Sequence, residues 1–352
     1  MVEATKELRW IRILLTIIAI PIIVIILKTL KDIFIPLIFA IFLTFLFAPL
    51  TSYLKKRHIP LWLIILITLC IIAGMFALVV LVLYAASNSL ISGLPKYQVQ
   101  FQQFILDSSS FFQDLSNRWD IASKSFPLID LNSLFSGSSF SVTEAIRSIM
   151  NSLMSVLWNL FLILIFMVFM LLESGTLGSR LTKAMGTDSK DKTLQSFRAI
   201  QKQIQNYLTV KSFISFITAL VGMLLMLVYG IDFVLVCGIL LFALNFIPNI
   251  GSIFASAIPI VILYMQYGFC YQLVLFSMLI IATQMFFGNI LEPKMQGAKL
   301  DLTPIVVLIS LIFWGWLWGF VGLLICVPLT SAINIILKQI DPDNIVSAFL
   351  SS

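Results

Sequence analysis

Charge is scarce in this chain. Only 11% of its 352 residues are charged, where a water-soluble domain carries about a quarter. With 60% hydrophobic residues and a mean hydropathy of +1.07, a soluble globular domain is excluded. Histidine is rarer still. His58 is the only one, and no Cys, His or carboxylate lies near it in the basic loop Lys55-Lys56-Arg57-His58. The four cysteines, Cys70, Cys237, Cys270 and Cys326, lack metal-type spacing. They lie in or beside apolar segments and read as small hydrophobes. There is no glycine-rich nucleotide loop and no nucleophile–base arrangement, so neither an enzyme nor a cofactor is expected. Nucleic acid is not expected either. The 22 basic residues against 16 acidic ones read as loop charge beside a membrane.

What the chain has in abundance is long apolar runs. A bilayer core requires about 20 such residues, and the recurrence of runs predicts an all-α polytopic membrane protein with about eight membrane segments. Runs at Ile13–Leu27, Ile33–Leu54 and Leu61–Ala86 give three N-terminal helices over 1–86. Residues 87–150 are polar, with Leu90, Leu94, Tyr97, Phe101, Phe104 and Ile105 at helical spacing, which reads as a small extracytoplasmic helical region. A fourth membrane helix (151–173), a cytoplasmic helical segment (174–206), a motif-rich core (207–340) and a cytoplasmic tail (341–352) follow. Basic clusters at Lys6, Arg9 and Arg12, at Lys55, Lys56 and Arg57, and between Arg180 and Lys211 share one side if the spans alternate. That side is the cytoplasm, with both termini in it. Lys28 and Lys31 fall in an outer turn and run against this assignment, but they are outnumbered.

The core interrupts its own helices. Residues 245–260 read N-F-I-P-N-I-G-S-I-F-A-S-A-I-P-I, and the apolar runs on either side, Phe233–Ile247 and Ile253–Tyr267, are each too short for a full crossing. A re-entrant hairpin is expected, its tip buried in protein or facing a watery cavity. A kink or an ordinary surface turn is the open alternative. Asn245 and Asn249 offer amides there, while Gly251 is needed for positive φ or for close approach. A second irregularity carries Gln284, Gly288, Asn289 and Leu291-Glu292-Pro293-Lys294. Glu292 precedes a proline, which biases it toward a helix end. The run from Leu302 then turns at Gly315, Gly319 and Gly322, among three tryptophans that suit an interfacial belt. Asp232 reads as the cap of a helix starting at Phe233.

Broken helices with polar tips are how transporters build solute and ion sites. Asn245, Asn249, Gln284, Asn289 and Glu292 are therefore the candidate binding residues. Glu292 is a candidate for a cation or a proton, its alternative being a surface carboxylate paired with Lys294 or Lys299.

Three ordered segments carry a family likeness: F-I-P-N-I-G-S-I-F-A-S-A-I-P (246–259), G-N-I-L-E-P-K-M-Q-G-A-K-L-D-L-T-P (288–304) and G-F-V-G-L-L-I-C-V-P-L (319–329). They resemble the autoinducer-2 exporter family of bacterial membrane proteins, also called PerM-type permeases, and the likeness covers nearly the whole chain. The resemblance implies a transporter without ATP hydrolysis in the bacterial cytoplasmic (inner) membrane, and a homo-oligomer. Pro248, Asn249, Gly251 and Pro259 match its first motif; Glu292, Pro293, Gly297 and Pro304 match the second; Pro328 is the proline of the last span. Three functions follow as expectations: export of a small polar solute, sodium or lithium exchange for protons at Glu292, or a membrane scaffold binding a partner through 87–150.

Overall fold

The computed structural model describes residues 18–97, 142–173, 190–248, 250–296 and 302–340. Most of the expected outer region, part of the cytoplasmic segment, Asn249, Gly297 and the tail lie outside these residues. Among the described residues every element is helical and there is no strand. Five helices are long and apolar enough to cross a membrane, a bent pair makes a sixth, and three shorter apolar helices accompany them. The expected class, an all-α polytopic membrane protein, is what the chain forms. The chain divides into two compact units.

The first unit gathers Met1–Ala73, Trp158–Ser212 and Lys294–Ser352. It opens with α1 (Ile18–Thr29), then α2 (Lys31–Leu46) and α3 (Ala48–Lys56). The expected single run 33–54 is in fact bent by 48° between α2 and α3. Pro49 sits in the first turn of α3, where its missing N–H costs nothing and its ring would obstruct a helix continuing from before it. Next come the start of α4 (Leu61–Gly93), the later part of α5 (Val142–Glu173) and the first part of α6 (Lys190–Val228).

The stretch Pro304–Ile340 is two helical arms, α11 (304–318) and α12 (320–340), broken at Gly319 with φ 62° and ψ −141°. A side chain resists that backbone conformation. The Trp314 indole N–H donates to the Thr330 hydroxyl at 3.1 Å. Sixteen residues of straight helix would separate their Cα atoms by about 24 Å, so the arms fold back on each other. Gly322 makes that closeness achievable, because a Cβ there would lie 1.9 Å from the Trp314 carbonyl oxygen. The turn read from the three glycines is therefore present. Against the belt reading, Trp314 and Trp318 are buried in protein, while Trp316 is exposed. Trp318 donates to the Leu27 carbonyl at 3.0 Å, and the Lys28 ammonium stands 4.2 Å from the Trp316 ring centroid.

The second unit comprises Gly74–Leu157 and Phe213–Pro293. It contains the later part of α4 with a 3-10 turn at Leu94–Tyr97, the end of α6, α7 (Val234–Leu244), α8 (Ile250–Tyr267) and α9 (Tyr271–Met285). A π-helix, Phe286–Leu291, then leads into α10 (Glu292–Gln296). Met226, Leu241, Leu263, Phe276 and Ile280 are fully buried at its centre. Tyr229 meets Phe276 edge-to-face with ring centroids 5.5 Å apart. Small residues bring α6 and α7 together. A Cβ on Gly222 would lie 2.6 Å from Leu241 Cδ1, and one on Gly238 would lie 2.4 Å from Met223 Sδ. Where lipid is the outer solvent, this small-residue packing replaces hydrophobic association between helices. Large apolar side chains such as Phe216, Ile253, Phe254 and Met278 face outward, as lipid contact requires.

Candidate functional site: a buried polar layer

The break at 245–260 is a reversal of the chain. The α7 and α8 helices pack against each other, so the chain reverses at Asn245–Pro248 instead of kinking. The α7 helix has 11 residues, about 16 Å, which is half a hydrocarbon core. Gly251 is required by closeness and not by its φ: it is not among the positive-φ glycines, but a Cβ there would lie 1.8 Å from the Leu244 carbonyl oxygen.

Register places the polar side chains. Gly222, Leu241 and Ile280 sit at one level, since a Cβ on Gly222 would meet both Leu241 and Ile280. The α6 and α7 helices run in opposite directions, and so do α7 and α8, and α8 and α9, each pair joined by a short turn. One turn beyond that level in the same direction therefore come Thr218 on α6, Asn245 after α7 and Gln284 on α9. All three are buried, as are Ser215 and Ser256. Ser215 accepts a hydrogen bond from the Asn245 amide at 3.3 Å. The Thr218 and Ser256 hydroxyls donate to their own helices, at Ile214 (2.8 Å) and Ser252 (2.9 Å).

Gln284 differs from these. It is 7% exposed, and neither Nε2 nor Oε1 has a hydrogen-bond partner. An amide left unpaired in a dry interior costs about 1–3 kcal/mol, so its retention points to a ligand that completes it. The next turn is the π-helix, and π-helices concentrate at functional sites.

The five candidate binding residues separate accordingly. Asn245 and Gln284 reach the same level, whereas Asn289 is exposed on the π-helix and Glu292 is half-buried where the π-helix gives way to α10. Asn249 lies outside the described residues. Glu292 has φ −57° and ψ −52°; the pre-proline bias away from helix is overridden by the continuous helix around it. Of the motif residues, Pro248 lies in the turn, Pro259 and Pro328 are buried within α8 and α12, Pro293 is exposed in α10, and Pro304 begins α11.

Sequence reading missed Ser215 and Thr218. Their spacing with Gly222 and Met226 marks one helix face and was the available signal. Lys211 is buried one turn before Ser215 on that face. Asp232 was also misread. Phe233, with φ 60°, is the residue at the helix start, and no side chain caps it. Asp232 instead accepts a hydrogen bond from the Tyr97 hydroxyl and pairs with Lys96 at 3.4 Å.

Among the described residues no cluster of His, Cys, Asp or Glu could hold a metal ion. The family described as AI-2E family transporter matches residues 13–341. The AI-2 transport protein TqsA of Escherichia coli is 32% identical over 323 residues, covering 91% of this chain and 90% of that protein. A Haemophilus influenzae protein assigned to transport by name alone is 30% identical over 339 residues, covering 93% and 92%. A Borreliella burgdorferi protein named in the same way is 31% identical over 324 residues, covering 92% and 86%. With spans, broken helices and a polar layer in place, this multi-pass membrane protein, a transporter and not an enzyme, belongs to the AI-2E transporter family.

Proposed function

We propose that the protein exports a small polar solute of the autoinducer-2 kind across the bacterial cytoplasmic membrane, with both termini in the cytoplasm. The observation that carries the reading is the unpaired, buried Gln284 amide at the level of Asn245. A transporter must bind its solute away from lipid, and neutral amides at a helix break provide hydrogen bonds there without the cost of burying a charge. The likeness to TqsA supports the choice of solute. Inverted vesicles carrying the protein should accumulate labelled autoinducer-2 faster than empty ones, and Asn245→Ala should abolish the difference. Equal uptake with and without the protein would remove this reading. Light scattering of the detergent-solubilised protein tests the homo-oligomer that the family resemblance implies.

A second reading is sodium or lithium exchange for protons through Glu292. It draws on the π-helix that ends at this carboxylate. A pH-sensitive dye in vesicles should report gradient loss on adding sodium, and Glu292→Gln should silence it.

A further inference from the structure

The turn between α6 and α7 is strained, and side chains from other helices hold it shut. Phe233 takes φ 60°, a conformation that a bulky residue resists. Gly230, three residues earlier, takes φ 64°, which glycine adopts freely. A glycine at 233 would follow the same path without strain, so the ring itself must have a use. It fills the space over Gly93 at the end of α4, where a Cβ would lie 2.5 Å from it.

The polar groups around the ring form a clasp within the second unit. The Tyr97 hydroxyl donates to the Asp232 carboxylate, and Lys96 reaches the same group at 3.4 Å. Gln266 on α8 bridges the turn. Its Oε1 accepts from the Asp232 N–H at 3.2 Å, and its Nε2 donates to the Gly230 carbonyl at 3.4 Å. The strain of one bulky residue at positive φ and the worth of one hydrogen bond to a partly exposed carboxylate are of the same order. The closed arrangement therefore depends on that bond. Residues strained in this way cluster at switch regions.

The α7 helix begins at this point. Its first bond runs from the Cys237 N–H to the Phe233 carbonyl at 2.9 Å. If residue 233 relaxed to right-handed helical values, that carbonyl would turn and the first turn of α7 would loosen around Cys237. The helix has only 11 residues and Asn245 follows it, so a shift at its start reaches the polar layer about 16 Å away.

We propose that Phe233 is a two-position latch on α7, with the Tyr97–Asp232 bond as its catch. In the closed position the ring lies over Gly93; in the open one it withdraws and residue 233 joins the helix. The latch concerns movement of α7 and does not depend on which solute the protein carries.

Two native cysteines can report it. Cys237 is 1% exposed, and Cys326, on α12 in the first unit, is 0% exposed. The full chain in detergent, with Cys70→Ser and Cys270→Ser, is treated with N-ethylmaleimide, and labelling of both sites is followed by peptide mass spectrometry. Tyr97→Phe keeps the ring and removes the hydroxyl. It should speed Cys237 labelling about fivefold, the equivalent of one such bond, and leave Cys326 unchanged. Gly93→Ala evicts the Phe233 ring without touching the polar bonds and should speed Cys237 labelling about tenfold or more. Lys96→Ala breaks only an exposed ion pair and should change it by less than about twofold. Unchanged Cys237 labelling in a folded Tyr97→Phe protein would overturn the latch. Equal acceleration at Cys326 would overturn it too, since that is general loosening of the fold. If Gly93→Ala gives no folded protein, Tyr97→Phe decides alone.

Discussion

Tyr97 donates its hydroxyl proton to the carboxylate of Asp232, 135 residues later in the chain. The bond ties the turn after α4 to the turn before α7. Around it, Lys96 approaches the same carboxylate at 3.4 Å, Tyr97 packs edge-on to Phe233 with centroids 5.9 Å apart, and the Asp232 N–H donates to Gln266 at 3.2 Å. The Phe233 ring occupies the place of a side chain at Gly93, where a Cβ would lie 2.5 Å from it. A bulky residue at φ 60° is strained, and this packing is what holds Phe233 there.

Tyr97→Phe should therefore cost about 1 kcal/mol, toward the low end for a bond to a charged group because the carboxylate is partly exposed. Burial, and then the bond to Asp232, raises the Tyr97 pKa above 10.0. Bonding to Tyr97 and Asp232 raises that of Lys96 above 10.5. Both groups lie beyond the span Leu61–Ser89. A raised pKa means the folded state holds its proton more tightly, so this stabilisation is complete below about pH 10 and drains away as pH rises through the folded values. Melting temperature in detergent should be insensitive to this cluster from pH 6 to 9 and fall above pH 10, and Tyr97→Phe should fall less steeply there.

Three glycines should respond to alanine in three different ways. At Gly251 the new Cβ would meet backbone, 1.8 Å from the Leu244 oxygen, so about 3 kcal/mol or outright loss of folded yield is expected. At Gly238 it would meet the flexible Met223 side chain at 2.4 Å, which can move aside at about 1–2 kcal/mol. At Gly288 a Cβ would meet nothing within 4 Å, and alanine should be neutral or stabilising by up to about 1 kcal/mol. Thermal unfolding of the three variants, ranked, checks the order.

The last hairpin offers a separable pair. Gly319→Ala meets no atom within 4 Å, so its whole cost is backbone strain, about 1–3 kcal/mol. Thr330→Val removes the acceptor of the buried Trp314 indole and should cost about 1–3 kcal/mol by leaving that N–H unpaired. A Trp314→Phe background should cancel most of the Thr330 effect and none of the Gly319 effect, and a double-mutant cycle on melting measures this.

Ser215→Ala removes the partner of the Asn245 amide. A loss of about 1 kcal/mol is expected, because the buried amide is left without that bond. Solute entry should weaken through a raised KM, with the maximal rate less affected. Initial rates over a range of solute concentrations separate the two.

Much of this architecture was readable from residue order. Apolar runs gave the spans, and Pro248, Gly251, Gly315, Gly319 and Gly322 gave the reversals, because turns need residues that tolerate them. Asn245 and Gln284 stood out as amides in apolar runs. What could not be read was which amides share a level, since that depends on how α6, α7 and α9 are placed side by side. Asn289, as polar as Gln284, is exposed: five residues on, it is off the face that i+3 and i+4 neighbours share. Asp232 failed for a related reason: a local cap competed with Tyr97, 135 residues away, and the distant partner won.

The π-helix also has a consequence for chain length. A π turn takes in one residue more than an α turn, so Phe286–Leu291 holds a residue that helical continuity does not need. Deleting Gly288 would let the segment wind as α-helix without a gap in its hydrogen bonding. Glu292 would keep nearly its present aim relative to Gln284, because the π turn already absorbs the extra residue and seven residues of α-helix also come to about two full turns. The segment is a built-in insertion that adds one residue between the amide and the carboxylate while leaving their relative aim nearly as an unbroken α-helix would set it.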